Sequence, residues 1–90
     1  MPSYLVETYL ARGHASERAE RERQAHTAAA ELTREETRVR FDRSIHVPED
    51  EICFYVFEAP SARDAAYAAE RAGLDPIRVV EAIPSGKENT

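Results

Sequence analysis

Apolar and polar residues alternate along parts of this chain, and that period of two predicts β-strands. The first such stretch covers residues 3–10, and the last expected strand covers residues 77–83. Between them, residues 38–60 alternate before the turn-forming Pro48 and then continue as a run of aromatic and β-branched residues, which indicates a β-hairpin. Four strands are therefore expected, two of them joined as a hairpin.

Two alanine-rich stretches between the strands predict helices. The first covers residues 16–32 and is expected to begin with Ser16 as its N-cap. The second covers residues 61–72 and begins with Ser61, three residues before an aspartate, which is the spacing of a capping box. It is followed by Gly73, a typical C-terminal stop. Stripes of small residues on both helices favour close packing against a sheet.

The order of elements, β-α-β-β-α-β, predicts an α+β domain of the ferredoxin-like type. It has a four-stranded antiparallel sheet in the order 4-1-3-2, with both helices on one face. We expect residues 1–84 to form this single domain and residues 85–90 to form a flexible C-terminal tail. A chain of 90 residues buries only a little over about 60% of its unfolded surface. We therefore expect a homodimer in which two open sheet faces close into a dimeric α/β barrel.

The turn sets the register of the hairpin, and the register sorts its side chains onto two faces. With His46 opposite Glu51, one face is apolar, and the other mixes charged, hydroxyl, thiol, imidazole and aromatic side chains. The apolar face is expected to pack against the helices, and it consists of Val39, Phe41, Ile45, Ile52, Phe54 and Val56. The mixed face is then open, and it consists of Arg40, Asp42, Ser44, His46, Cys53, Tyr55 and Phe57.

The mixed face, joined by two side chains of the first strand, is the predicted pocket. The mixed face contains one histidine, His46, and histidine is the side-chain type whose unperturbed pKa suits proton transfer near neutral pH. An equally good interpretation is that His46 is only a partly hydrated residue at the end of a strand. If the protein is an enzyme, the catalytic candidates are His46, Asp42 and Tyr55. The ligand-binding candidates are Glu7, Tyr9, Arg40, Ser44, Phe57 and Glu81, with the direction of Glu81 left open.

Charge and composition exclude several classes of function. The chain has a net charge of −5, whereas phosphate contacts need a basic patch, so nucleic-acid binding is not expected. No apolar run approaches the roughly 20 residues of a membrane span, and no signal peptide is visible. The single cysteine, Cys53, excludes an internal disulfide and is typical of a reducing compartment, so we expect a cytoplasmic protein.

Four segments of the chain resemble one known family: residues 1–7, 47–51, 57–61 and 71–82. As a set they are similar to the small bacterial proteins of domain-of-unknown-function family 4242, whose members are often labelled nickel-binding-protein-like. The resemblance implies a ferredoxin-like fold, a homodimer and, in at least one branch, a nickel site. Nickel-type members carry a histidine before the hairpin serine and a cysteine after the phenylalanine of the third strand. Those positions are Arg43 and Tyr55 here, while Ser44 matches.

These observations leave three hypotheses for the function. The leading one is a small homodimeric binding protein whose open sheet face takes a small ligand or a divalent metal such as nickel. For a metal, Glu7, His46 and Cys53 offer oxygen, nitrogen and sulfur donors. The alternative is a cofactor-free enzyme, an isomerase, cyclase or monooxygenase of the dimeric α/β-barrel type, which rests on analogy of fold. A purely structural dimer is the third.

Overall fold

The strands and helices follow the predicted order. In the computed structural model, which describes residues 1–85, the elements are β1 (Ser3–Tyr9), α1 (Arg18–Arg34), β2 (Arg40–Val47), β3 (Ile52–Glu58), α2 (Ala62–Arg71) and β4 (Arg78–Ala82). All strand pairs are antiparallel, in the order β2-β3-β1-β4. The predicted α+β ferredoxin-like fold and its strand order are thus confirmed. Apart from Ser85, the predicted tail of residues 85–90 lies outside the described residues.

The N-terminus of α1 differs from the prediction. Ser16 lies inside a 3₁₀ segment, Arg12–Glu17, and no side chain caps the start of α1. This segment is instead bonded to the turn between β2 and β3. Arg12 donates from its backbone N–H to Glu51 Oε2 and from Nη2 to the Glu49 carbonyl, each at 3.0 Å. These bonds place the start of α1 near the hairpin turn.

Helix α2 begins and ends as predicted. The Oγ of Ser61 accepts a hydrogen bond from the Asp64 N–H at 3.1 Å. At the other end, the Leu74 N–H donates to the Ala69 carbonyl at 3.0 Å, which is the Schellman arrangement. Gly73 there has a φ of 75°, a conformation that glycine adopts without steric cost.

Helix α1 ends in the same arrangement, but with a glutamate in the position of the glycine. The Thr37 N–H donates to the Leu32 carbonyl at 2.8 Å, and the Glu36 N–H donates to the Thr33 carbonyl at 3.1 Å. Glu36 has a φ of 76°, which costs a non-glycine residue about 1–2 kcal/mol. Because no glycine follows this helix in the sequence, the predicted end, residue 32, is two residues before the observed end, Arg34.

The core lies between the helices and one face of the sheet, which we call the helix-facing side. Three rows of side chains cross it from β1 through β3 to β2: Thr8–Cys53–His46, Val6–Tyr55–Ser44 and Tyr4–Phe57–Phe41. Buried alanines allow both helices to approach closely: Ala25, Ala28, Ala29, Ala65, Ala68 and Ala69. The layer is therefore aromatic at one end and polar at the end near the hairpin turn.

The helices cover the opposite face of the hairpin from the one that alternation predicts. Four residues expected beneath them lie on the other face, which we call the open side: Ile45, Ile52, Phe54 and Val56. Five residues expected to be open lie beneath the helices: Ser44, His46, Cys53, Tyr55 and Phe57. The register also differs, because His46 is opposite Cys53 rather than Glu51, but a shift of two residues leaves each side chain on the same face of the hairpin and does not explain the exchange. Both faces carry large apolar groups, and α1 supplies polar partners for the face that is buried.

A β-bulge in β2 changes the phase of that strand. Phe41 is opposite Phe57 and Arg43 is opposite Val56, with Asp42 as the additional residue. Phe41 therefore stays beneath the helices, as predicted, while both Asp42 and Arg43 turn to the open side.

Candidate functional site

The structure divides the predicted site residues between the two sides of the sheet. On the open side lie Glu7, Tyr9, Arg40 and Asp42. On the helix-facing side lie Ser44, His46, Cys53, Tyr55, Phe57 and Glu81. The catalytic candidates do not meet, because the sheet separates Asp42 from His46 and Tyr55. The predicted residues therefore do not line a single pocket within one chain.

A polar cluster lies beneath the N-terminal half of α1. The Oγ of Ser44 donates to Glu22 Oε2 at 2.5 Å and accepts from Arg18 Nε at 2.7 Å. Arg18 also donates from Nη2 to the Ser44 carbonyl at 3.0 Å. In the next row, Thr8 Oγ1 donates to the Cys53 carbonyl at 2.8 Å. These bonds pair most polar groups of the cluster and attach α1 to the edge strand β2.

Two buried polar atoms of the same layer have no hydrogen-bond partner among residues 1–85: His46 Nε2 and Tyr55 Oη. Tyr55 and its neighbour Cys53 are both fully buried. Burial raises the pKa of the Tyr55 hydroxyl and of the Cys53 thiol, so both stay protonated at neutral pH. Because the thiolate is the nucleophile of cysteine chemistry, Cys53 is inert in the folded protein.

The metal candidates do not converge on one point. His46 and Cys53 are opposite each other on paired strands, but Glu7 lies on the open side. Within the described part of the chain, no three or more histidine, cysteine, aspartate or glutamate side chains are placed to hold an ion. Sites built from imidazole and thiolate usually take about four ligands. The His46–Cys53 pair therefore does not fit a nickel site in this chain.

The open side carries an apolar hollow of about 180 Å³. Its floor comes from three neighbouring strands, through Leu5, Ile45 and Val56. The bulge turns Asp42 and Arg43 to its border, where Ser3, Ala82 at the end of β4, and the following Ile83 and Pro84 complete the rim. Bulges commonly re-aim side chains next to binding sites. An apolar floor with a few polar groups at its border is the usual composition of a small-molecule site.

Three ion pairs surround the apolar residues of the open side: Arg40–Glu58, Glu7–Arg78 and Asp42–Arg43. Arg40 donates two hydrogen bonds to Glu58, at 3.2 and 2.7 Å. In the other two pairs the guanidinium Nε lies 3.4 Å from a carboxylate oxygen. The strands present no other charged residue on this side. The open side is thus electrically balanced, although the whole chain has a net charge of −5.

Of the nine residues that line the hollow, only Asp42 is among the predicted candidates, and the other eight, which include Leu5, Arg43, Ile45 and Val56, are absent from them. Alternation alone assigns Ile45 and Val56 to the core beneath the helices. One feature of the sequence does indicate the hollow. The adjacent charged residues Asp42 and Arg43 interrupt the alternation of β2, and such an interruption is typical of a bulge.

Comparison with known proteins supports the fold. The crystal structure of SCO4226 from Streptomyces coelicolor A3(2) matches with a TM-score of 0.67 and 24% sequence identity, over 93% of this chain and 99% of that one. No family model matches the chain, and no curated protein is significantly similar to it. At this identity, the similarity shows a shared fold alone. Neither helix in residues 1–85 combines the length and apolar composition needed to cross a membrane.

Proposed function

We propose that this protein is a small homodimeric binding protein, in which two open sides pack together and enclose a site for a small organic ligand. The observation that carries the proposal is the apolar hollow of about 180 Å³ on a sheet face that no described element covers. The apolar character and the charge of this face support the homodimer, and the size of the hollow limits the ligand.

The apolar surface of the open side favours association. Ile45 is 44% exposed and Tyr9 is 58% exposed in the single chain. They belong to a larger apolar set on this side, which also contains Leu5, Val47, Ile52, Phe54, Val56, Val80 and Ala82. Contiguous apolar patches of this kind mark interaction surfaces. Their burial stabilises a complex by about 25 cal/mol for each Å² removed from water.

The charge of the open side suits a second copy of the same chain. In a two-fold dimer each patch meets an identical patch. A strongly charged patch would repel its copy, whereas three carboxylates and three guanidinium groups allow opposite charges to meet across the interface. The excess negative charge of the chain lies elsewhere, away from the proposed contact.

The size of the hollow limits the ligand. Typical pockets for drug-sized molecules have volumes of about 300–1,000 Å³, whereas this hollow has about 180 Å³. The latter equals the volume of about six water molecules. We infer a ligand with an apolar body of a few carbon atoms, enclosed from above by the second copy.

The finer expectations from the sequence are carried forward selectively. We confine the proposal to an organic ligand, because the metal candidates do not converge. The rival enzyme reading has no observation in its favour, because its three candidate residues lie on two sides of the sheet. We keep the cytoplasm as the proposed location, since the free thiol of Cys53 suits a reducing compartment.

The dimer is tested by measuring molecular mass across a range of protein concentrations, using sedimentation equilibrium. We expect twice the 10.1 kDa of one chain for the wild type. Ile45→Glu places a charge on the apolar floor of the hollow and should give a folded monomer. Tyr67→Glu is the matched control, because Tyr67 is similarly exposed, at 49%, but lies on α2. A wild-type monomer at the highest concentration, or equal effects of both variants, would overturn the proposal.

The ligand site is tested by NMR titration with 1-hexanol, followed through methyl resonances. Shifts are expected for Leu5, Ile45 and Val56, which form the floor of the hollow. Val6 and Leu32 serve as internal controls, because they are buried in the core. Shifts confined to core methyls, or no saturable shifts at all, would contradict a site on the open side.

A further inference from the structure

Arg43 is held loosely at the border of the hollow. Its only ion pair among residues 1–85 joins Nε to Asp42 Oδ2 at 3.4 Å, and its side chain is 71% exposed. A guanidinium group has five N–H donors, so the terminal nitrogens of Arg43 remain available. Asp42 holds the stem of this side chain near the hollow without occupying the donors at its end.

The other guanidinium groups of the open side differ from Arg43 in one of two ways. Arg40 already donates two hydrogen bonds to Glu58. Arg78 is held about as loosely as Arg43, by a 3.4 Å contact with Glu7, but it does not border the hollow. Arg43 is therefore the group that combines free donors with a position beside the apolar floor.

From this placement we propose that the ligand is a small aliphatic or aromatic carboxylic acid. Its apolar body lies on Leu5, Ile45 and Val56, and its carboxylate accepts hydrogen bonds from the terminal nitrogens of Arg43. The planar guanidinium group matches a carboxylate with two parallel bonds. This inference rests on the function proposed above, and it adds the chemical class of the ligand.

The bulge in β2 supports the assignment because it determines which residues can reach the ligand. In a regular strand, only one of Asp42 and Arg43 would face the open side. The bulge brings both to it, opposite Val56. A cationic donor and the acidic residue that orients it are then neighbours at one edge of an apolar surface.

The experiment compares three probes with the same carbon chain: hexanoate, 1-hexanol and hexylamine. Each is titrated into the full chain at fixed ionic strength, and the dissociation constant is taken from the methyl shifts of Leu5, Ile45 and Val56. We expect hexanoate to bind about fivefold more tightly than 1-hexanol, the gain expected of one partly exposed ion pair. Hexylamine should bind no more tightly than the alcohol.

Two variants assign the preference to one side chain. Arg43→Gln should abolish the advantage of hexanoate over 1-hexanol. Arg78→Gln removes a similarly exposed guanidinium from the same side, outside the hollow, and should keep the preference. Both residues are largely exposed, so both variants are expected to fold.

The outcomes separate this inference from the function on which it rests. Equal binding of hexanoate and 1-hexanol, or tighter binding of hexylamine through Asp42, would overturn the inference and leave a binding site on the open side intact. A hexanoate preference that survives Arg43→Gln would also overturn it. Failure of all three probes to shift the methyl resonances would overturn both.

Discussion

Removal of the Tyr55 hydroxyl is predicted to stabilise the protein. Tyr55 is fully buried, and its Oη has no hydrogen-bond partner among the described residues. Tyr55→Phe deletes that one atom and keeps the aromatic ring, which packs against Phe41 with ring centroids 6.2 Å apart. The substitution therefore measures mainly the free energy of burying this hydroxyl group, whose polar neighbours are the Cys53 thiol and the Arg21 guanidinium.

The magnitude follows from two opposing effects. Burying a hydroxyl without a partner costs about 1–3 kcal/mol in mutational data. Its removal leaves a void of about 10 Å³, which costs about 0.2 kcal/mol, and loses a weak interaction with the neighbouring Cys53 thiol. We expect the free energy of unfolding to rise by about 1 kcal/mol. For a chain of this size the midpoint of thermal unfolding should then rise by about 4–8 °C.

Urea unfolding followed by circular dichroism measures the change. Wild type and variants must be compared at one protein concentration, because dimer formation would make stability depend on concentration. Tyr9→Phe is the matched control, since Tyr9 is 58% exposed and lies outside the buried layer. That control should change the free energy of unfolding by less than about 0.5 kcal/mol.

A loss of stability in Tyr55→Phe would refute the reasoning. A decrease of about 1 kcal/mol or more would mean that the hydroxyl is paired in solution, with water or with a ligand. If that partner is a ligand, the layer beneath α1 is itself a binding site.

Two further predictions concern backbone strain and alkaline pH. Glu36→Gly should stabilise the protein by about 1 kcal/mol and Gly73→Ala should destabilise it by about as much, because both positions have a φ near 75°; urea midpoints that move in the same direction would contradict this. Burial raises the pKa of Cys53 and Tyr55 above their ordinary values of 9.0 and 10.0, so the unfolded chain loses these protons first. The contribution of these two groups to the free energy of unfolding should therefore be constant below about pH 9 and fall above it, more gently in Tyr55→Phe; urea midpoints that stay constant from about pH 9 to about pH 11 would show that the reasoning is wrong.

The local rules of the sequence were sufficient to predict most of the fold. Period-two alternation located the four strands, and the element order gave the strand order that the structure shows. The Ser61 cap and the Gly73 stop of α2 both form as predicted. These features depend on residues close together in the chain, so one short segment contains the information that determines each of them.

The orientation of the hairpin could not be predicted in the same way. In β3, Phe54 and Val56 point to one side and Tyr55 and Phe57 to the other, so hydrophobicity hardly distinguishes the faces. What distinguishes them is the surface of α1, which offers Arg18 and Glu22 as partners for the hydroxyl of Ser44. That information lies more than twenty residues away in sequence.

The candidate site depends on a second feature that alternation does not reveal. A strict period of two places Arg43 on the same side as Phe41, beneath the helices. The bulge turns Arg43 to the open side and thereby creates the polar border of the hollow. The faces of β1 were easier to predict, because Tyr4, Val6 and Leu10 contrast clearly with Glu7.

Insertions and deletions are usually tolerated in loops, but the bulge gives β2 a position where a residue can be lost within a strand. If either Asp42 or Arg43 is deleted, the other remains opposite Val56 and Phe41 remains opposite Phe57, so a regular strand keeps its remaining side chains on their present faces. Such a deletion removes one of the two charged residues that form the ion pair beside the hollow. Descendants of this sequence should therefore be able to shorten β2 at this point and keep the fold, while the charge at the border of the hollow changes.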